Sequence, residues 1–254
     1  MDFYQRDRSI STANLPWSGT LGPNEIAPHE AAEIDGPIPA SEIHRLALAS
    51  LESAEATNQC ASTWLQLGGF IEDIYLHGIT GAARLLGAWW LSDRIAFSDV
   101  TVGSARLHRL LYDFSPVFLA NCEPQQEATV LLWPEPGSQH TMGVFMLSEF
   151  FRRAGWHTLL EHPDHSLDPL RTIATNWIDL VALSVGSDRQ FEGLRTLVAN
   201  IRQTSPNSNI RILAGGPMAL THAQALRDLG VDWVGTDART TVMQATREWK
   251  AAVN

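Results

Sequence analysis

The sequence predicts an α/β protein in two parts: an N-terminal helical bundle of about four helices, followed by a doubly wound parallel sheet of five strands. Three observations predict it. Apolar residues recur at helical intervals between about residues 41 and 114. A polar run from Asn121 to Gln126 then breaks that rhythm. Beyond it, short apolar strands alternate with amphipathic helices, the pattern of a parallel sheet covered on both faces.

Met1 to about Pro39 is rich in Ser, Pro, Gly, Asn and acidic residues and has little periodicity to fold against a core, so 1–39 reads as a flexible or loosely docked leader. In the bundle, residues 40–120, the apolar series is Ile43, Leu46, Leu48 and Leu51, then Trp64, Leu65, Leu67, Phe70, Ile71 and Ile74. Gly78 with Thr80 and Ser92 with Asp93 mark two junctions. Asp99 or Thr101 is placed to cap the helix running through Leu107, Leu110 and Leu111. Ser115-Pro116 and the run 121–126 make a linker, with the second domain taken as 121–254.

In that domain the expected strands are Ala128–Trp133, His157–Glu161, Leu180–Ser184, Ile210–Ala214 and Trp233–Gly235. Helices are expected near 141–154, 169–175, 191–203, 219–229 and 240–252. This alternation is flavodoxin-like, and such sheets bind ligands at the carboxyl ends of their strands.

Composition narrows the function. The net charge of -10 and the absence of a dense Lys/Arg run disfavour direct nucleic-acid binding, which relies on basic groups replacing counterions. The two cysteines, Cys60 and Cys122, have no metal or redox spacing and read as buried thiols. Neither a signal peptide nor an apolar run of about 20 residues is present, so a cytoplasmic protein without a membrane anchor is expected.

The strand ends carry the chemistry. After the first strand comes Pro136-Gly137-Ser138-Gln139-His140-Thr141-Met142-Gly143; after the third, Ser184-Val185-Gly186-Ser187; after the fourth, Gly215-Gly216-Pro217. In a doubly wound sheet these three loops share one edge. A neutral imidazole in such a loop suits a transition metal.

His140, Gly143, Ser184 and Gly215-Gly216 resemble the B12-binding domain family, whose pattern is Asp-x-His-x-x-Gly, Ser-x-Leu or a similar pair, then Gly-Gly. The resemblance implies a B12-binding Rossmann-like domain that holds cobalamin, with His140 as the axial cobalt ligand in place of the cofactor's own base. It implies cofactor contacts from Ser138, Gln139, Thr141, Met142, Gly143, Ser184, Val185, Gly186, Gly215, Gly216 and Pro217. Ser138 stands where the family has Asp, so the imidazole's other nitrogen would face a hydroxyl, and Glu135 is a nearby carboxylate. His157, His162, His165 and His222 lack such company and read as surface or structural residues.

The bundle is similar to the cap module of cobalamin-dependent methionine synthase, corrinoid proteins and B12 photoreceptors. The matching stretch is Gly87-Ala88-Trp89-Trp90-Leu91-Ser92-Asp93 with Phe97-Ser98-Asp99-Val100-Thr101. It implies that Trp89 or Trp90, with Val100, covers the cofactor's upper face. Asp99-Val100 occupies the place of the Glu-His pair of adenosylcobalamin photoreceptors, so the upper group is left open among aquo- or hydroxo-, methyl- and adenosyl- forms; His108 on the following helix is a further residue near that side.

The whole pattern resembles the AerR/PpaA family of purple bacteria. That implies a non-enzymatic, light- or redox-responsive antirepressor that binds a PpsR/CrtJ-type repressor and controls photosynthesis genes. Two other readings stay open: a corrinoid methyl carrier for separate methyltransferases, and a plain cobalamin carrier.

Overall fold

The computed structural model describes residues 37–134, 141–160, 168–186 and 188–253. From Gly36 onward the chain forms one compact unit. The leader lies almost wholly outside the described residues.

Helices α1 (Ala40–Glu52) and α2 (Ala54–Gln66) are joined at Ser53, whose hydroxyl accepts the Ala56 N–H at 3.0 Å and so caps α2. The next helical stretch contains α3 (Ile71–Asp73), a π-helical segment (Ile74–Ile79) and α4 (Thr80–Leu91). Helix α5 (Phe97–Phe118) completes a bundle of four helical rods. Its core contains Ile43, Leu46, Ala61, Ile79, Leu86, Leu107 and Leu111, each with no exposed surface. Tyr75 stacks on Phe118 at 4.4 Å and donates its hydroxyl to the Leu111 carbonyl at 2.8 Å.

Five local expectations change. The junction expected at Gly78 and Thr80 is a π distortion inside a continuous helix; a Cβ on Gly78 would stand 2.8 Å from the Trp64 ring. The break falls earlier, at Gly68 (φ +89°) and Gly69, which leaves Leu67 and Phe70 on the surface rather than on an apolar stripe. Helix α5 starts at Phe97, so Asp99 lies in its first turn, where its carboxylate accepts the Ala96 N–H at 2.9 Å. Pro116 lies inside the last turn of α5, where it removes the N–H that would bond the Tyr112 carbonyl, and the helix ends two residues later at Phe118. Cys60 is buried as expected, but Cys122 is exposed, donating to the Leu119 carbonyl at the frayed helix end.

Residues 122–128 run along the end of the first helix of the α/β part, α6 (Met142–Arg153). Glu123 N–H reaches the Arg153 carbonyl at 2.8 Å, and Gln126 N–H that of Gly155 at 2.8 Å. The strands are β1 (Thr129–Trp133), β2 (His157–Leu160), β3 (Leu180–Ser184), β4 (Arg211–Gly215) and β5 (Trp233–Val234). All described pairings are parallel and the order is β2-β1-β3-β4-β5. Glu161, expected to end β2, lies outside the described residues.

Helices α7 (Pro169–Thr175), α8 (Asp188–Thr204) and α9 (Ala223–Asp228) cover one face, burying Ile173, Leu194, Val198, Ile201 and Leu226 against Leu131, Val181, Leu183 and Ile212. On the other face α6 packs against α10 (Ala238–Val253), with Phe151 and Trp156 at their junction; the Trp156 indole donates to the Thr246 hydroxyl at 2.9 Å. Burial on both faces explains why β1, β3 and β4 are almost wholly apolar. Helix α9 is shorter than expected because residues 216–222 form turns after Gly216-Pro217. No described helix is long and apolar enough to cross a membrane.

Candidate functional site

The strand order reverses between β1 and β3, so connections from these two strands leave in opposite directions and open a crevice at their carboxyl ends. Trp133 at the end of β1 is in register with Leu183, and Ser184 at the end of β3 with Gly215 at the end of β4. Topology therefore brings the three predicted loops to one edge. Ser138, Gln139 and His140 lie outside the described residues, as does Ser187; the chain re-enters at Thr141, one residue before α6 begins.

The β3 and β4 loops are tied together. Val185 N–H donates to the Gly215 carbonyl at 2.7 Å, and the Val185 carbonyl accepts the Met218 N–H at 3.2 Å. Gly216 takes φ +100°, and a Cβ there would lie 2.8 Å from the Val185 carbonyl oxygen. This glycine is required by the protein's own backbone.

Gly215 and Gly143 differ from it. A Cβ on either would find no described atom within 4 Å, so nothing among the described residues demands a glycine there. Both sit at the ligand edge, Gly215 ending β4 and Gly143 in the first turn of α6. Two glycines that face open space where a doubly wound sheet binds its ligands fit a broad, flat group lying against the backbone. Ser184 is half-buried beside Gly215, and Thr141 and Met142 are half-buried where α6 starts. Pro217 and Gly186 are exposed on the rim. The Val185 side chain is fully buried in the sheet core and its N–H and carbonyl are both engaged, so it holds the two loops together.

In the bundle, the two tryptophans differ in burial. Trp89 is 1% exposed and packs edge-on against the His44 ring at 5.2 Å, which makes it core. Trp90 is 43% exposed and lies 5.6 Å from the Phe97 ring, with Leu91 exposed beside it and Val100 half-buried one turn further along α5. Helix α5 also packs on α6: Tyr112 lies 4.1 Å and His108 5.7 Å from the Phe145 ring. The His108 Nε2 is buried without a hydrogen-bond partner, and burial lowers the pKa of both His108 and His44 from the usual histidine value. His108 is thus a buried imidazole packed against Tyr112 and Phe145, next to the helix that follows the His140 loop, with a nitrogen that meets no partner among the described residues.

No group of three or more His, Cys, Asp or Glu side chains suited to a metal ion occurs among the described residues. A cobalt held by the four nitrogens of a corrin needs only one protein ligand, so the single-histidine pattern and the open glycines fit cobalamin. The sequence signals missed His44, which resembles any helical core position, and the α5–α6 aromatic contact, which joins residues far apart in the chain.

Comparisons with known proteins agree with this geometry. The B12 binding domain family matches residues 130–246. A Rhodobacter capsulatus protein described as an uncharacterized 20.5 kDa protein in the bchF-crtJ intergenic region is 32% identical over 175 residues, covering 68% of this chain and 91% of that protein. The solved monomethylamine corrinoid protein of Methanosarcina barkeri shares the fold, with a TM-score of 0.67 at 14% identity over 79% of this chain and 94% of that one. A family pattern in register on the fold that carries it, a matching domain model and a relative matched over nine-tenths of its length thus identify this chain as a cobalamin-binding protein of the AerR/PpaA family.

Proposed function

We propose that this protein is a cobalamin-binding transcriptional regulator, a light- or redox-responsive antirepressor that acts on a PpsR/CrtJ-type DNA-binding repressor of photosynthesis genes and is not itself an enzyme. The observation that carries the reading is the Rhodobacter capsulatus relative, whose gene lies between bchF and crtJ. The net charge of -10 supports a basic protein partner in the cytoplasm rather than DNA as the surface met.

Each part of the chain has a role in this reading. His140, on the loop between β1 and α6, is the lower cobalt ligand, with Ser138 orienting the imidazole. Gly143, Gly215 and Gly216 let the backbone approach the ring, and Ser184 offers a hydroxyl to the nucleotide tail. The bundle is a cap, with Trp90 and Val100 toward the upper face. When bound, cobalamin would supply a cobalt centre whose bonding is sensitive to light and to oxidation state. The chain's part is to convert a change in the space beneath the cap into a change in cap packing, and so into exposure of a partner surface.

The test is repressor binding by the cobalamin-loaded protein in darkness and after light, and under oxidised and reduced conditions. A change in affinity that disappears in His140→Ala is expected. Identical binding in all conditions overturns the regulator. The shared fold with a corrinoid protein supports a methyl carrier as the second reading; transfer of a methyl group from the loaded protein to a methyltransferase would favour it.

A further inference from the structure

Among the described residues the bundle meets the α/β part through contacts of two different kinds. One is aromatic. Tyr112 lies on Phe145 at 4.1 Å, Phe118 packs edge-on to Phe150 at 4.9 Å, and the Arg153 guanidinium stands 4.9 Å over the Phe118 ring. The other is ionic and centred on the three residues of α3. Arg239 donates from Nε to one Glu72 carboxylate oxygen at 2.6 Å and from a terminal nitrogen to Asp73 at 3.2 Å. The other Glu72 oxygen lies 3.1 Å from an Arg153 nitrogen that has no hydrogen bond, so this pair is held by charge alone. Arg153 ends α6 and Arg239 lies near the start of α10, so one short turn of the bundle is held by both helices on that face of the sheet.

The turn sits between two departures from regular helix. Gly68, at φ +89°, and Gly69 precede it, and the π segment Ile74–Ile79 follows. Such π turns occur mostly as single-turn bulges inside α-helices, frequently at functional sites. A crevice of about 400 Å³ lined by Phe70, Ile71, Glu72, Asp73, Arg153 and Arg239 admits water to the Arg239 pairs, whereas the Arg153 nitrogen facing Glu72 is buried. Partly solvated pairs are weak and screened by salt, whereas Phe118 is fully buried. The ionic contact is therefore the one that yields first.

We propose that the Glu72–Arg239–Arg153 cluster is a releasable latch, which holds α3 and the π segment against the α/β part while the α5–α6 aromatic contact stays in place as the pivot. The proposal deepens the cap reading and rests on it for its link to the cofactor. Amide hydrogen exchange of the full chain, with and without bound cobalamin, tests it in wild type, Glu72→Gln, Arg239→Ala and Arg239→Lys.

The latch predicts exchange over residues 71–79 faster by about threefold to tenfold in Glu72→Gln and Arg239→Ala, with residues 107–118 unchanged. Arg239→Lys should fall between these and wild type, and high salt should reproduce the effect in wild type. Unchanged exchange over 71–79, or an equal rise along 107–118, overturns the latch. In the loaded protein the same variants should release cobalamin faster. Faster exchange with unaltered release supports the latch and overturns the cap reading instead.

Discussion

Gly215 and Gly216 are neighbours in sequence, yet the structure predicts opposite consequences for alanine at each. At Gly215 a Cβ has no described atom within 4 Å, and glycine within a strand is less stable than alanine by roughly 0.5–1 kcal/mol through its greater loss of chain entropy. The cofactor-free Gly215→Ala protein should therefore be as stable as wild type or slightly more so. The same methyl group would enter the space assigned to the corrin. Overpacking of a fitted site costs about 1–3 kcal/mol, and a tenfold change corresponds to about 1.4 kcal/mol, so cobalamin affinity should fall roughly fivefold to more than a hundredfold.

At Gly216 the order reverses. The left-handed backbone alone costs about 1–3 kcal/mol for a residue with a side chain, and the new carbon would meet the Val185 carbonyl oxygen at 2.8 Å. Gly216→Ala should lose stability before cofactor is added. Urea unfolding of the cofactor-free proteins and absorbance titration with hydroxocobalamin separate the two effects. Wild-type affinity in Gly215→Ala would refute the assignment of this open edge to the ring system.

Other consequences follow from named groups. Gly143→Ala should stabilise the cofactor-free protein by up to about 1 kcal/mol through helix propensity while weakening cobalamin binding, read by the same two assays. Replacing His108 by Phe removes an orphaned buried nitrogen, whose penalty is about 1–3 kcal/mol, and should raise the urea midpoint of the cofactor-free protein; a lower midpoint would show that the nitrogen is satisfied. His108 and His44 both have folded pKa values depressed by burial below an unfolded value of about 6.5. The unfolded chain then takes up protons first, so their contribution is present above pH of about 6.5 and is lost as pH falls through the depressed values. Urea midpoints in the double variant His44→Phe with His108→Phe should depend less on pH across that window. Asp232 accepts the Ile212 N–H at 2.8 Å and pairs with Arg202 and Arg211, so Asp232→Ala should cost about 1.5–3 kcal/mol, checked by thermal melting.

The parts legible in the sequence are those set by neighbours along the chain. The strands β1, β3 and β4 announce themselves because burial on both faces leaves them apolar, and the Gly-Gly pair marks a backbone that must turn and be approached closely. Spacing alone could not separate Gly215, open to a ligand, from Gly216, needed by the fold. Nor could it tell Trp89 from Trp90, because the choice depends on how far α4 is rotated in the bundle, and His44 fixes that rotation from another helix. Gly78 read as punctuation, although its small size serves to admit the Trp64 ring. The Glu72–Arg239 pair spans 167 residues, a separation at which no periodicity carries information.

The central claim is that one imidazole of this chain, that of His140, ligates the cobalt. Electron paramagnetic resonance of the protein loaded with cobalamin and reduced to Co(II), prepared with natural-abundance and with ¹⁵N-labelled histidine, tests it without relying on any activity. Each cobalt line should be split into a triplet by an axial ¹⁴N in the unlabelled protein and into a doublet in the labelled one, and His140→Ala should remove the effect of the label. A triplet that persists after labelling would mean that the cofactor keeps its own base, and would contradict the account.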